Sequence, residues 1–171
     1  MATDTRAPLG ATALFRAVGL MADGPVSWGN PVRSGRPGVY VVELPAPLAA
    51  APIEVIRVGK WVERVPSLRL DGHRPTTKEL AARLSSFRLP DQTVLYVGMT
   101  TLSIGGRVAA FYRTALGDRR PHAGGHWLKT LGVLERAKVG GAETDAPEEY
   151  EDALLTAFAD AVPEATRARL G

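Results

Sequence analysis

The chain has no cysteine. That excludes a disulfide framework and any thiolate metal site, zinc held by sulfur included, and it fits a reducing compartment. At the N-terminus Asp4 and Arg6 precede an apolar stretch that Arg16 interrupts. This has neither the charge order of a signal peptide nor the length of a membrane span, so a cytoplasmic protein without membrane association is expected. There is no internal repeat and no low-complexity tail. Asparagine is nearly missing as well, Asn30 being the only one.

What is present suffices for one domain. With 171 residues, 45% of them hydrophobic, the chain can bury a proper core and is too short to expect two. Residues 1–171 are therefore taken as a single domain, with 1–34 as an N-terminal helical extension. Whether it is a monomer or a homodimer stays open. The net charge is only +3, but it is unevenly spread. Arg107, Arg113, Arg119, Arg120 and Lys129 gather with His122 and His126, and Glu143, Asp145, Glu148, Glu149, Glu151 and Asp152 follow. A basic patch facing an acidic cluster suits a phosphate backbone held beside a metal ion. Two solvated faces would explain the same pattern.

Ala11, Leu14, Phe15 and Val18 recur at helical spacing until Gly24-Pro25 stops them. Gly35-Arg36-Pro37-Gly38 signals a turn, and Val39 to Leu44 is β-branched and aromatic enough for a buried strand. Pro45, Pro47 and Pro52 mark a connector. Thr76 and Glu79 form a capping box for a helix with Leu80, Leu84 and Phe87 on its apolar face, ended by Leu89-Pro90-Asp91. Residues 45–92 are thus an ordered insertion with at least one helix. Thr93 to Gly98 is a second strand, and Ile104 to Arg113 a helix. Another helix carries Trp127, Leu128, Leu131 and Leu134. Ala137 to Thr144 is a third strand, in which Gly140-Gly141 suggests an edge or a bulge. Pro147 opens a last helix to about Ala161. The class is α+β, a small three-stranded sheet flanked by helices, with an N-terminal helix and an inserted helical segment.

Periodicity singles out two charges. Ile104, Arg107, Val108 and Phe111 share one helix face, as do Glu151, Leu154, Leu155 and Phe158. A charge on an apolar stripe is costly to desolvate, so each must border a cleft or find a partner. A mutual salt bridge or snorkelling at the rim would also satisfy them. Pro121-His122-Ala123-Gly124-Gly125-His126 offers backbone N–H groups to a phosphate, with His126 as donor or proton carrier. The same segment could equally be a glycine-containing loop with exposed histidines.

Gly38-Val39-Tyr40 and Tyr96-Val97-Gly98 on strands, then Arg107 and Glu151 on helices, form an ordered set that resembles the GIY-YIG nuclease family. The resemblance implies a three-stranded mixed sheet and a metal-dependent endonuclease acting on DNA. It implies that Arg107 contacts the scissile phosphate and that Glu151 holds a divalent metal. Tyr40 would activate the attacking water, helped toward the phenolate by an adjacent guanidinium and a metal-bound water, and Tyr96 would shape the site. One carboxylate suits a single Mg2+ that keeps most of its waters, with Mn2+ as a substitute. Arg113, Arg119, Arg120, His122, His126 and Lys129 are the expected nucleic-acid contacts. The chain departs from the family in three ways. Residues 41–95 separate motifs that are usually neighbours; Phe111, followed by Tyr112, stands where some members have a histidine or tyrosine; and no asparagine follows Pro163. These departures would also permit a non-catalytic nucleic-acid-binding or protein-interaction module that retains the fold.

Overall fold

A computed structural model describes residues 9–47, 52–86, 91–118, 120 and 125–162. In chain order the elements are α1 (Ala11–Ala17), β1 (Asp23–Ser27), β2 (Gly38–Glu43), α2 (Val55–Arg64), α3 (Thr77–Ser86), β3 (Val94–Thr100) and α4 (Ile104–Arg113). Two 3-10 turns, His126–Thr130 and Leu134–Arg136, lead to β4 (Lys138–Glu143) and α5 (Pro147–Ala161).

The class is α+β, but the sheet has four strands, in the order β1-β4-β2-β3, and every pairing is antiparallel. This corrects the expectation of a three-stranded mixed sheet. The added strand, β1, falls inside the 1–34 segment read as helical. It lies at an edge, and its pairing with β4 slips between Asp23 and Val26. Pro25 therefore sits in the irregular part of an edge strand, where the missing N–H costs little.

β4 is central, not an edge. Gly140 and Gly141 do not weaken it; they let helices on both faces come close. A Cβ on Gly140 would stand 3.5 Å from Phe15, and one on Gly141 would stand 3.1 Å from Ile104.

β2 is buried from Gly38 to Val42, as its apolar run demands, and its period-two alternation divides the core. Tyr40 and Val42 face α4 and the 3-10 turns, packing with Ile104, Val108, Phe111 and Leu128. Val39 and Val41 face the other way, onto Leu14 and Phe15 of α1 and Leu154 of α5. The Glu43 carboxylate accepts the Ala11 N–H at 2.7 Å and so ties the start of α1 to the end of β2.

The insertion is folded around two helices. α2 and α3 make a satellite core from Val58, Val62 and Leu80. Thr76 Oγ1 accepts the Glu79 N–H at 3.1 Å, as a capping box requires, while the Glu79 carboxylate turns to His73 at 2.8 Å. α3 ends at Ser86; the expected contributions of Phe87 and Leu89-Pro90 lie outside the described residues. The helix expected through Trp127 and Leu134 is instead the pair of 3-10 turns. Leu131 between them is extended and bridges to Ile53 of the insertion. That long-range pairing breaks a helical spacing that is otherwise sound.

Candidate active site at the open edge of the sheet

β2 and β3 are registered so that Tyr40 stands opposite Gly98 and Val42 opposite Tyr96. The two motif tyrosines are thus diagonal neighbours on one face, with ring centroids 6.0 Å apart. The Tyr40 ring lies directly across Gly98. A Cβ there would come within 2.8 Å of Tyr40 Cε1 and 2.5 Å of its Oη. Gly38 is equally constrained, since its Cβ would run into the Ala142 carbonyl and come within 2.5 Å of Ile104 Cδ1. Both motif glycines are therefore demanded by packing. Tyr40 is only 1% exposed and has nowhere to retreat. Gly98→Ala is expected to cost about 1–3 kcal/mol by overpacking. Urea denaturation checks this, as a lower midpoint at unchanged slope.

α4 brings the arginine to this face. Ser103 caps it, its Oγ accepting the Gly106 N–H and donating to the Ser34 carbonyl, each at 3.1 Å. Ile104, Val108 and Phe111 then bury its underside. From that position the Arg107 guanidinium lies close enough to the Tyr40 hydroxyl to act on its pKa, and Arg107 acts on Tyr96 as well. Arg107 also lines an open groove of about 530 Å3 with Met99, Thr100, Leu102 and Ser103.

Burial dominates the tyrosines' chemistry. It pushes the Tyr40 hydroxyl far above its ordinary range, and the nearby Tyr96 adds to this; the Arg107 charge and hydrogen bond oppose them and lose. With the guanidinium alone beside it, desolvation of the anion outweighs one cation. Tyr96 is also raised, chiefly by burial, while its bond from Tyr40 and the Arg107 charge lower it and the Glu151 charge raises it.

Glu151, on α5 at the other face of the sheet, is near enough for its charge to act on Tyr96. No ion pair joins it to Arg107 among the described residues. It lies at the margin of the buried line of α5, which runs through Tyr150, Leu154, Ala157 and Phe158. Leu155, expected on the inward stripe, is 46% exposed instead. Burial, then repulsion from Asp152 and Glu148, raises the Glu151 pKa. A divalent cation would relieve that repulsion. Among the described residues no three His, Asp or Glu side chains gather as a closed metal cage.

The expected nucleic-acid contacts fare differently. Arg113 and Arg120 are exposed, and Arg119 and His122 lie outside the described residues. His126 is not an outward donor on both nitrogens: its Nδ1 accepts the Gly117 N–H at 3.2 Å, and burial followed by the Lys129 charge lowers its pKa. Lys129 points into the fold. Its ammonium donates to the Phe111 carbonyl at 2.6 Å and to that of Thr114, closing the C-terminus of α4, and burial lowers its pKa to about 8. Phe111 is a packing wedge against Trp28 and Tyr96, at 5.2 and 5.3 Å between centroids. The Tyr112 hydroxyl donates to the Asn30 carbonyl at 2.9 Å. Tyr112 and His126 are thus each engaged with a backbone group. No helix among the described residues is long and apolar enough to cross a membrane. No family model, curated protein or solved structure matches the chain.

Proposed function

We propose that the protein is a metal-dependent endonuclease that hydrolyses DNA phosphodiester bonds through a GIY-YIG-like site. The observation that carries this reading is the clustering of Tyr40 and Tyr96, their rings 6.0 Å apart across Gly98, with Arg107 near enough to act on both hydroxyls. It joins both strand motifs to the helix arginine, beside a groove open to a phosphate.

In such a reaction water attacks phosphorus, a new P–O bond forms, the bond to the leaving sugar oxygen breaks, and that oxygen gains a proton. Arg107 is placed to neutralise charge on the phosphoryl oxygens, a role that a fixed guanidinium fills well. Tyr40 in the resting site is a neutral phenol. Burial keeps the proton on its oxygen, so it does not deprotonate the water there. Tyr96 fixes the Tyr40 rotor. Glu151 would hold Mg2+ or Mn2+ as a single protein carboxylate. That ion, when bound, supplies Lewis-acid stabilisation of the developing charge.

The near-complete burial of Tyr40 favours a second reading, a nucleic-acid-binding or protein-interaction module without turnover. Incubation of the folded protein with linear, supercoiled and branched DNA separates the two. The nuclease reading expects cleavage with Mg2+ or Mn2+ that EDTA abolishes and fresh metal restores. Salt-sensitive binding with no cleavage of any substrate would establish the second reading.

A further inference from the structure

The far end of α4 borders a recess that the candidate active site does not use. Arg57, Lys60 and Arg64 lie three and four residues apart on α2 and so share one face. Across from them stand Lys129, which caps α4, and the aromatic side chains of Trp28 and Tyr112. Together they enclose about 360 Å3, the scale of a nucleotide-sized ligand, and no acidic residue is among the lining.

The four cations are not equivalent. Arg57 is held by Glu54 at 2.7 Å and by the carbonyls of Lys129 and Leu131, and Arg64 by Asp118 at 2.8 Å. These contacts fix the walls. Lys60 is exposed and makes no ion pair among the described residues, and Lys129 donates to two carbonyls and lies 5.4 Å over the Phe111 ring. Lys60 thus faces the recess without an ion pair among the described residues, while the Lys129 ammonium is held by carbonyls and feels the Asp118 charge. Like charges brought together in a concave, half-desolvated place are costly, and an anion relieves that cost. Aromatic side chains in the same wall add the surface on which nucleobases stack, a combination typical of single-strand binding sites.

We infer that this recess is a second anchoring site for nucleic acid: it takes a backbone phosphate at Lys60, within the positive field of the Arg57 and Arg64 wall, with the neighbouring base against Trp28 and Tyr112. The spacing suits a strand. Arg107 and Thr114, the C-cap of α4, are separated by about 10 Å at 1.5 Å per residue. A strand rising about 3.4 Å per nucleotide covers that in about three nucleotides. The identity of the polyanion rests on the nuclease reading, whereas the charge and shape of the recess do not. The insertion, through α2, would then extend the grip on substrate beyond the scissile bond.

The test is fluorescence anisotropy with an end-labelled ten-nucleotide single strand, in EDTA, across a range of NaCl concentrations. Wild type is compared with Lys60→Gln and Lys60→Arg. Lys60 is exposed, so neither change threatens folding. Lys60→Gln is expected to weaken binding several-fold at low salt and to flatten the salt slope by about 0.7, the loss of one phosphate contact on a single strand. Lys60→Arg should keep both. Unchanged affinity and slope in Lys60→Gln would overturn the inference. So would thymidine monophosphate binding as tightly as the oligonucleotide, which would make the recess a site for a free nucleotide. Because binding is read without metal or turnover, its failure leaves the hydrolysis reading standing, and a failure to cleave DNA leaves this one standing.

Discussion

Glu151→Gln should slow DNA cleavage by about a thousandfold or more while leaving DNA binding nearly unchanged. The side chain keeps its size and loses the negative charge that would hold a divalent ion, and Lewis-acid stabilisation is worth several kcal/mol, where each 1.36 kcal/mol is about tenfold in rate. Since Glu151 is partly exposed at the margin of α5, the fold should tolerate the change. pH should reproduce the effect in the wild type. Glu151 has a raised pKa, so it takes up its proton at a higher pH than a free glutamate would. Metal affinity is therefore expected to fall with pH from above the usual range of about 4.3. For stability the sign is opposite: the fold favours the neutral acid, so the unfavourable contribution of Glu151 is present above its folded pKa and relieved as pH falls through it. Titration of Mn2+ by electron paramagnetic resonance at several pH values checks the first statement. One ion per chain is expected in the wild type, and none in Glu151→Gln.

Arg107→Ala is expected to lower single-turnover cleavage by about a hundredfold to a thousandfold, the range seen when one preorganised donor to a developing oxyanion is removed. The effect has two parts. The phosphoryl oxygens lose their guanidinium, and Tyr40 loses the hydrogen bond and the positive charge that oppose its desolvation. Arg107→Lys should recover only part of the rate, because an ammonium keeps the charge but not the planar fork that can meet a tyrosine and a phosphate together. Rates measured at saturating protein separate this loss from weakened binding. Thermal unfolding of each variant serves as the control for packing.

Several elements were legible because the physics behind them is local. The run Val39 to Val42 can only be a strand buried on both faces, Pro147 can only begin a helix, and Thr76 caps the helix it precedes. The inward position of Arg107 followed from spacing alone and holds in the structure, next to Tyr40. What the sequence concealed was decided by distant partners. Asp23–Ser27 has a single β-branched residue and a proline, and is a strand because β4 pairs with it. Gly140-Gly141 looked like weakness at an edge, and is the close approach of Phe15 and Ile104 to a central strand. The leucines from 128 to 134 do have helical spacing, but Ile53 claims the backbone of Leu131.

The charged residues show the same limit. Lys129 and His126 entered the expected DNA-binding set as charges near other charges. Their partners, the carbonyls closing α4 and the Gly117 amide, are backbone groups that no composition reveals. Conversely, the row Arg57, Lys60 and Arg64 is visible in sequence, yet it becomes a recess only when Trp28, Tyr112 and Lys129 are set opposite. The departure at Phe111 also has a physical reading: the ring fills the space between Trp28 and Tyr96, where a polar side chain would need a partner.

The central claim is that Tyr40, Tyr96, Arg107 and Glu151 make one hydrolytic site. It is tested most directly by single-turnover cleavage of a labelled branched DNA in Mg2+, with wild type and Glu151→Gln compared at equal, saturating binding. Strand scission by the wild type, with scission lost in Glu151→Gln although the DNA remains bound, is the expected result. Equal rates for the two proteins would contradict the claim.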